Sequence, residues 1–168
     1  MVFSSLEFIF RFLPAFLVVY YVIPGRWRNS WLLLGSLGFY FYGVRDTPFY
    51  FVLLLLSILV NYRIGTLIGL RRVKRLRKRW LVLGVIYNLS WLLLFKYAAF
   101  FGQNLNLLLE NAGFPFALPV YRPILPVGIS FYTFQAISYL ADVYRKSVPC
   151  ERSPVGFGMY ISMFPQLI

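Results

Sequence analysis

The sequence contains no histidine, a single cysteine and few acidic residues. Its 168 residues include 5 aspartates and glutamates against 17 lysines and arginines, a formal net charge of +12. One cysteine, Cys150, excludes an intrachain disulfide. Without histidine and with one thiol, a metal site built on imidazole or thiolate ligands is not expected. The sequence also lacks a Gly-rich phosphate loop and a Ser-His-Asp set, so we expect no metal and no bound cofactor.

Charge of either sign is scarce relative to apolar residues. Only 13% of the residues are charged, 60% are hydrophobic, and the mean hydropathy is +0.71. The surface of a soluble domain of this size needs more charge than that. The apolar runs are continuous, as in residues 51–56, whereas barrel strands alternate apolar and polar side chains. The composition therefore predicts an all-α, polytopic transmembrane helical bundle whose surroundings are the lipid bilayer.

Proline, glycine and basic residues divide the chain into apolar stretches that we interpret as one transmembrane region, residues 1–168. The predicted spans cover about 8–23, 29–44, 49–70, 80–101 and 124–144, and a further apolar segment covers 154–168. Residues 102–124 predict an amphipathic or re-entrant piece followed by a loop. Because an unfinished apolar segment would leave unpaired backbone groups in hydrocarbon, we expect the chain to be the front part of a longer polypeptide.

Basic residues are distributed unevenly between alternate links. With the N-terminus outside, the inner links carry twelve lysines and arginines and the outer links carry Arg45 and Arg122. Loops rich in basic residues remain in the cytoplasm, so the N-terminus is predicted to face the periplasm or exterior. The inner set comprises Arg26, Arg28, the seven basic residues of 71–79, Arg145, Lys146 and Arg152.

Residues 71–79 are predicted to form a cytoplasmic basic loop. Orientation of the helices is the simplest role for this surface, and anionic-lipid binding is an alternative that is compatible with it. A nucleic-acid partner is not expected, because the basic residues lie between apolar runs. The candidate surface consists of Arg71, Arg72, Lys74, Arg75, Arg77, Lys78 and Arg79.

The stretch LPVGISFYTFQAISYLADVYR, residues 125–145, is long and apolar enough for a span but carries several polar side chains. At 100° per residue, five positions share one face of the helix. Polar groups are costly against lipid, so this stripe should face other helices or a cavity. Interhelical hydrogen bonding and the wall of a substrate tunnel both remain open. The stripe comprises Gly128, Phe131, Gln135, Ser138 and Asp142.

Several stretches resemble a known family. They are the segment 125–145, the Phe-Pro-x-Leu-Ile stretch at 164–168, the opening MVFSSLEFIFRFLPAFLVVYY, WRNSWLLLGSLGFYFYG and FKYAAFF. Together they resemble the membrane-bound O-acyltransferase superfamily, and within it the bacterial proteins that O-acetylate alginate. The resemblance runs along the whole chain and implies the N-terminal part of that fold, in a bacterial inner membrane.

The resemblance also implies a chemistry. Members take an acyl group from a cytoplasmic thioester donor, acetyl-CoA or a carrier-linked acyl group, and pass it toward a hydroxyl acceptor. In the alginate-type branch the acceptor is an exopolysaccharide, and periplasmic partner proteins complete the transfer. The reaction needs a base and an oxyanion pocket. In the family the base is an intramembrane histidine, which we expect beyond residue 168.

No residue of this chain is therefore assigned a catalytic role, and the chain alone is expected to be inactive. A further hypothesis is that the basic surface attracts an anionic thioester donor, in addition to orienting the helices in the membrane. A non-enzymatic membrane scaffold or a transporter fragment remains the alternative function.

Overall fold

The computed structural model describes residues 8–113, 119–120, 126 and 128–163, with the backbone alone for residues 8 and 9. These residues form six α-helices, and a short π-helical turn, Phe8–Phe12, leads into the first. The helices are α1 (Leu13–Val22), α2 (Gly25–Gly43), α3 (Phe49–Leu70), α4 (Lys74–Asn111), α5 (Ile129–Arg145) and α6 (Pro154–Ser162).

Helices α3 and α4 are long and apolar enough to cross a membrane. With 22 and 38 residues, they extend about 33 Å and 57 Å at 1.5 Å per residue, against a hydrocarbon core of about 30 Å. The described part of the protein buries only 44% of the apolar window of α3 and 22% of that of α4. A core helix of a soluble protein buries most of such a window, whereas a membrane helix presents it to lipid. The chain is an all-helical membrane bundle.

Helix α3 is the centre of the bundle. It packs against α4, α5 and α6, while α6 also lies along α2 and α5 lies along α4. Leu54 and Ile68 of α3 are fully buried, and Ala136 and Leu140 of α5 are buried against the same core. Helix α1 is peripheral: Phe16 packs on α2, and the Trp31 indole donates to the Phe16 carbonyl oxygen at 3.2 Å.

Two glycines allow three helices to approach closely. A Cβ atom on Gly84 of α4 would lie 2.5 Å from the Leu140 Cδ1 atom, and one on Gly65 of α3 would lie 2.6 Å from the Tyr139 ring. Small residues permit such approach between membrane helices, whose association depends on van der Waals packing and hydrogen bonds rather than on the hydrophobic effect. These glycines therefore determine how near α5 lies to both α3 and α4.

A buried amide pair joins α3 to α4. The Asn61 Nδ2 atom donates to the Asn88 Oδ1 atom at 3.0 Å, and the Asn88 Nδ2 atom donates to the Asn61 Oδ1 atom at 2.6 Å. Each amide also donates to a carbonyl oxygen of its own helix, that of Ser57 and that of Gly84. Because both side chains are almost completely buried, the pair fixes the axial position of α4 against α3.

Three links meet at one end of the bundle. The Tyr62 hydroxyl of α3 donates to the carbonyl oxygen of Arg152 in the α5–α6 link at 2.8 Å, and Gly69 lies against Cys150 of the same link. Asn29, near the start of α2, lines a cavity with Glu151. These links, together with the helix ends that adjoin them, carry the inner set of basic residues. Their shared position agrees with the alternation that the charge count requires, and the membrane face they occupy stays a prediction.

The helix bounds differ from the predicted spans in several places. Only residues 71–73 lie outside a helix in the predicted basic loop, and α4 begins at Lys74, because lysine, arginine and leucine are strong helix formers. After residue 101, α4 continues to Asn111, within the stretch 102–124 for which an amphipathic or re-entrant piece followed by a loop was predicted. Helix α2 begins at Gly25 rather than at residue 29. Arg122, part of 124–128 and residues 164–168 lie outside the described residues.

The buried amide pair should contribute measurably to the stability of the bundle. Asn61→Leu or Asn88→Leu leaves a buried amide without its partner and should lower the free energy of unfolding by about 0.5–2 kcal/mol. The double variant should lose less than the sum of the two. Steric trapping in bicelles measures these values.

Asn104→Leu is the matched control, because the exposed Asn104 amide donates to the Phe100 carbonyl oxygen of its own helix. It should change the unfolding free energy little. Strictly additive losses for the two buried positions would contradict an interhelical role for the pair.

Candidate functional site

Arg77, in the first turn of α4, holds the ends of two other helices. Its Nε atom donates to the Ile68 carbonyl oxygen of α3 at 3.1 Å. Its Nη2 atom donates to the carbonyl oxygens of Val143 and Tyr144 in α5, both at 2.8 Å. The guanidinium also lies over the Tyr144 ring, 5.5 Å from the centroid. A cation at two helix C-termini is favourable because unpaired carbonyls concentrate negative partial charge there.

The end of α5 is closed by a left-handed turn at Lys146, with φ of 65°. The Ser147 amide donates back to the Asp142 carbonyl oxygen at 3.1 Å, and the Lys146 amide donates to that of Val143 at 3.2 Å. This is the Schellman arrangement, in which the chain itself satisfies part of the last turn. Together with Arg77 it leaves the last carbonyls of α5 well supplied with donors.

The predicted basic surface must therefore be corrected at Arg77. This residue is 7% exposed and belongs to the helix framework, whereas the other six members are exposed: Arg71, Arg72, Lys74, Arg75, Lys78 and Arg79. The unpaired carbonyls of α3 and α5 draw one arginine of the run inward. Arg75, Lys78 and Arg79 share one face of α4 along an open groove, whereas Arg71 and Arg72 precede the helix.

The predicted polar stripe of α5 is not the face that packs on α3 and α4. That face is formed by buried residues outside the stripe, among them Ile129, Tyr132 and Tyr139. It lies about a third of a turn from the stripe. Phe131 is 63% exposed and Ser138 is exposed, while Gly128 is half-buried. Apolar and aromatic side chains gain more from burial than the stripe does, so they occupy the centre of the interface.

Gln135 of the stripe contacts a neighbouring helix, α6, and Asp142 faces a cavity beside that helix. The Gln135 Nε2 atom donates to the Tyr160 carbonyl oxygen at 2.7 Å. Asp142 and Tyr160 both line a cavity of about 480 Å³ between α5, α6 and the start of α2. Of the five predicted stripe residues, the structure therefore places Asp142 in the wall of this cavity, while Gln135 contacts α6 beside it. Lining of a tunnel by the whole stripe stays a prediction.

This cavity, called here the α5–α6 cleft, has both polar and apolar walls and lies at the end where the basic residues gather. Glu151 and Tyr139 form part of its wall, and the Glu151 amide donates to the Tyr139 hydroxyl at 2.9 Å. The Ser153 hydroxyl accepts from the Gly156 amide at 3.2 Å and caps α6. Carboxylate, hydroxyl and amide groups converge here, so the cleft can orient a polar ligand by hydrogen bonds.

Two buried tyrosine hydroxyls were not anticipated from the sequence. Those of Tyr87 in α4 and Tyr132 in α5 have no hydrogen-bond partner among the described residues. Tyr132 belongs to the same buried cluster as Tyr40 of α2. A repeated tyrosine on three helices gives no periodic signal, because each phenol also serves as an apolar side chain. This arrangement becomes visible only once the helices are packed.

Arg77 should be more sensitive to substitution than its exposed neighbours. Arg77→Gln removes the cation from two helix ends and breaks up to three buried hydrogen bonds, so it should lower the unfolding free energy by about 2 kcal/mol or more. Arg77→Lys keeps the charge without the planar fork and should recover only part of the loss. Cys150, which packs on the last turn of α3, should react faster with maleimide in both variants.

Arg75→Gln provides the control, because Arg75 is exposed and lies two residues earlier in the same basic run. Peptide mapping by mass spectrometry reports the labelling rate at Cys150. Equal rates for Arg77→Gln and Arg75→Gln would show that Arg77 does not hold α3 to α5.

Comparison with known proteins relates the whole chain to acetylases. A probable alginate O-acetylase, AlgI, of Pseudomonas aeruginosa is 44% identical over 171 residues, which cover 100% of this chain and 32% of the relative. The homologue of Azotobacter vinelandii is also 44% identical, with 33% of its length covered. A peptidoglycan O-acetyltransferase of Helicobacter pylori is 32% identical over 198 residues and is covered to 36%.

The chain spans about a third of the length of the curated relatives it matches. No family model matches the sequence. A search of solved structures also gave no match. Because the identity to the AlgI proteins extends from one end of the chain to the other, the resemblance found in the sequence is confirmed: the whole chain is homologous to part of the alginate O-acetylases.

Proposed function

We propose that the chain is part of a membrane-bound O-acyltransferase that moves an acetyl group from a cytoplasmic thioester donor toward a hydroxyl of an exopolysaccharide such as alginate. The observation that carries the proposal is the 44% identity to a probable alginate O-acetylase over the whole chain. The similarity to a peptidoglycan O-acetyltransferase supports the same reaction class with a different glycan. The donor is acetyl-CoA or a carrier-linked acetyl group.

Residues 1–168 contribute a structural framework to the proposed enzyme and do not supply its catalytic base. The sequence has no histidine, and no other described side chain is placed as an activated general base. In the proposed enzyme the base is a histidine that lies outside these residues, and residues 1–168 alone transfer no acetyl group. The protein resides in the bacterial inner membrane with a periplasmic N-terminus, and periplasmic partner proteins pass the acetyl group to the glycan.

The α5–α6 cleft is the proposed part of the transfer path within this chain. It lies at the end that carries most of the basic residues, which the positive-inside rule assigns to the cytoplasm. Asp142 and Tyr160 line the cleft. Gln135 donates a hydrogen bond to α6 at a position one helical turn or more deeper in the bundle than Asp142. A half-buried carboxylate beside hydroxyl groups orients polar atoms of a ligand by charge-assisted hydrogen bonds.

Deletion of the gene in its own host should abolish O-acetylation of the secreted glycan. Complementation with the intact gene should restore the acetyl content, while expression of residues 1–168 alone should not. Base-labile acetate released from purified glycan measures the outcome. Unchanged acetyl content in the deletion strain would favour a non-enzymatic scaffold or a transporter component.

Asp142→Asn should lower glycan acetylation by about tenfold, because a hydrogen bond to a charged group contributes about 1.5–3 kcal/mol. Asp46→Asn is the matched control. Its side chain is 93% exposed in the opposite link, where it lies 4.0 Å from the Arg45 guanidinium. Membrane levels of both variants are compared by immunoblot. Similar acetylation by both variants at equal protein levels would remove the cleft from the transfer path.

A further inference from the structure

A second cavity, called here the basic cavity, lies on the other side of the α5–α6 link. It has a volume of about 690 Å³ and opens between the end of α3, the base of α4 and the end of α5. This volume is within the range of small-molecule binding sites. Its wall consists of Gly69, Leu70, Arg71, Arg72, Arg77, Val143, Lys146, Val148, Pro149 and Cys150.

The basic cavity carries positive charge without a carboxylate in its wall. Arg71, Arg72 and Lys146 are exposed, so their charged groups are free to turn toward a ligand. Arg77 forms a fixed wall, since its bonds go to neutral carbonyl oxygens and leave its charge intact. Among the residues that the structure describes, the ion pair found is that of Arg45 with Asp46, in the opposite link. The field in the cavity therefore attracts an anion.

The remaining wall is apolar and lies at the depth of the lipid headgroups. Leu70 is 71% exposed and Val148 is 40% exposed. The 22 residues of α3 extend about 33 Å, close to the thickness of the hydrocarbon core, so Arg71 lies near the boundary between acyl chains and headgroups. A ligand that places a phosphate among arginines and apolar atoms beside leucine and valine is a phospholipid. A small soluble anion gains nothing from the apolar wall.

We propose that the basic cavity binds the headgroup phosphate of an anionic phospholipid, with Arg71, Arg72 and Lys146 as its mobile donors and Arg77 as its fixed wall. Basic pockets between helices on the cytoplasmic side are suited to such headgroups. The bound lipid would join the end of α3 to the α5–α6 link. The inference concerns a lipid site and is tested by binding alone, so it stands or fails independently of the acetyl-transfer proposal.

The test compares two variants that lose the same charge. The cavity variant is Arg71→Gln/Arg72→Gln/Lys146→Asn, with asparagine chosen because it tolerates the left-handed backbone at position 146. The control variant is Arg75→Gln/Lys78→Gln/Arg79→Gln, whose positions line an open groove on α4 alone. Each loses three positive charges at the same end of the bundle, so diffuse attraction to anionic lipid and the positive-inside bias fall equally.

The protein expressed from its own gene is purified in detergent, and lipid binding is followed by native mass spectrometry. Phosphatidylglycerol should bind the unaltered protein at least about tenfold more tightly than phosphatidylethanolamine. The cavity variant should lose about tenfold or more in affinity for phosphatidylglycerol, while the control variant should stay within about threefold. Melting temperatures of both variants verify that each remains folded.

Three outcomes would overturn the proposal. Equal losses in both variants would show diffuse surface attraction in place of a site. An unchanged affinity in the cavity variant would show that the lipid binds elsewhere. Displacement of phosphatidylglycerol by millimolar inorganic phosphate or glycerol phosphate would identify a site for a free anion, with no preference for lipid.

Discussion

The framework of this bundle depends on the buried guanidinium of Arg77. Three of its hydrogen bonds end on carbonyl oxygens at the C-termini of α3 and α5, so one side chain in the first turn of α4 fixes the relative positions of three helices. Helix ends leave carbonyls without intrahelical donors, and water is scarce where they are buried. An arginine suits the task because its planar fork supplies several donors from one position and retains its charge.

A second polar contact complements Arg77 farther along the same two helices. The Asn61–Asn88 pair lies deeper between α3 and α4, eleven residues from Arg77 along α4 and about 17 Å by the rise of the helix. With polar contacts at two depths, α4 is held both against sliding and against rotation about its axis. The glycine at position 84 lies between them and admits Leu140 of α5. The position of α5, and with it the α5–α6 cleft, follows from these contacts.

Much of this arrangement is foreseeable from the sequence, and the parts that are not have specific causes. The bounds of α3 coincide with the predicted span, because Pro48 precedes an apolar run that is interrupted at Asn61 and Arg63, and Arg71 follows that run. The loop prediction at 71–79 treated a charge run as a turn, although lysine and arginine favour helices once they can reach water or carbonyls. Which arginine turns inward depends on the free carbonyls of two distant helices, and no local pattern contains that information. The orientation of α5 was inferred from its polar residues alone, whereas its apolar and aromatic face determined the packing.

The two cavities at this end of the bundle have opposite character and share a wall. Val148 and Pro149 line both of them, with Asp142 and Glu151 on the side of the α5–α6 cleft and Arg71, Arg72 and Lys146 on the other side. An anionic headgroup is repelled by the carboxylates of the cleft and attracted by the basic cavity. The charge of the walls therefore directs the lipid to the basic cavity and away from the cleft. The part of a ligand that enters the cleft is favoured when it is neutral or carries hydroxyl groups. Because the shared wall is a short link rather than a helix, occupation of the basic cavity by lipid would hold that link in place and so stabilise the shape of the cleft beside it.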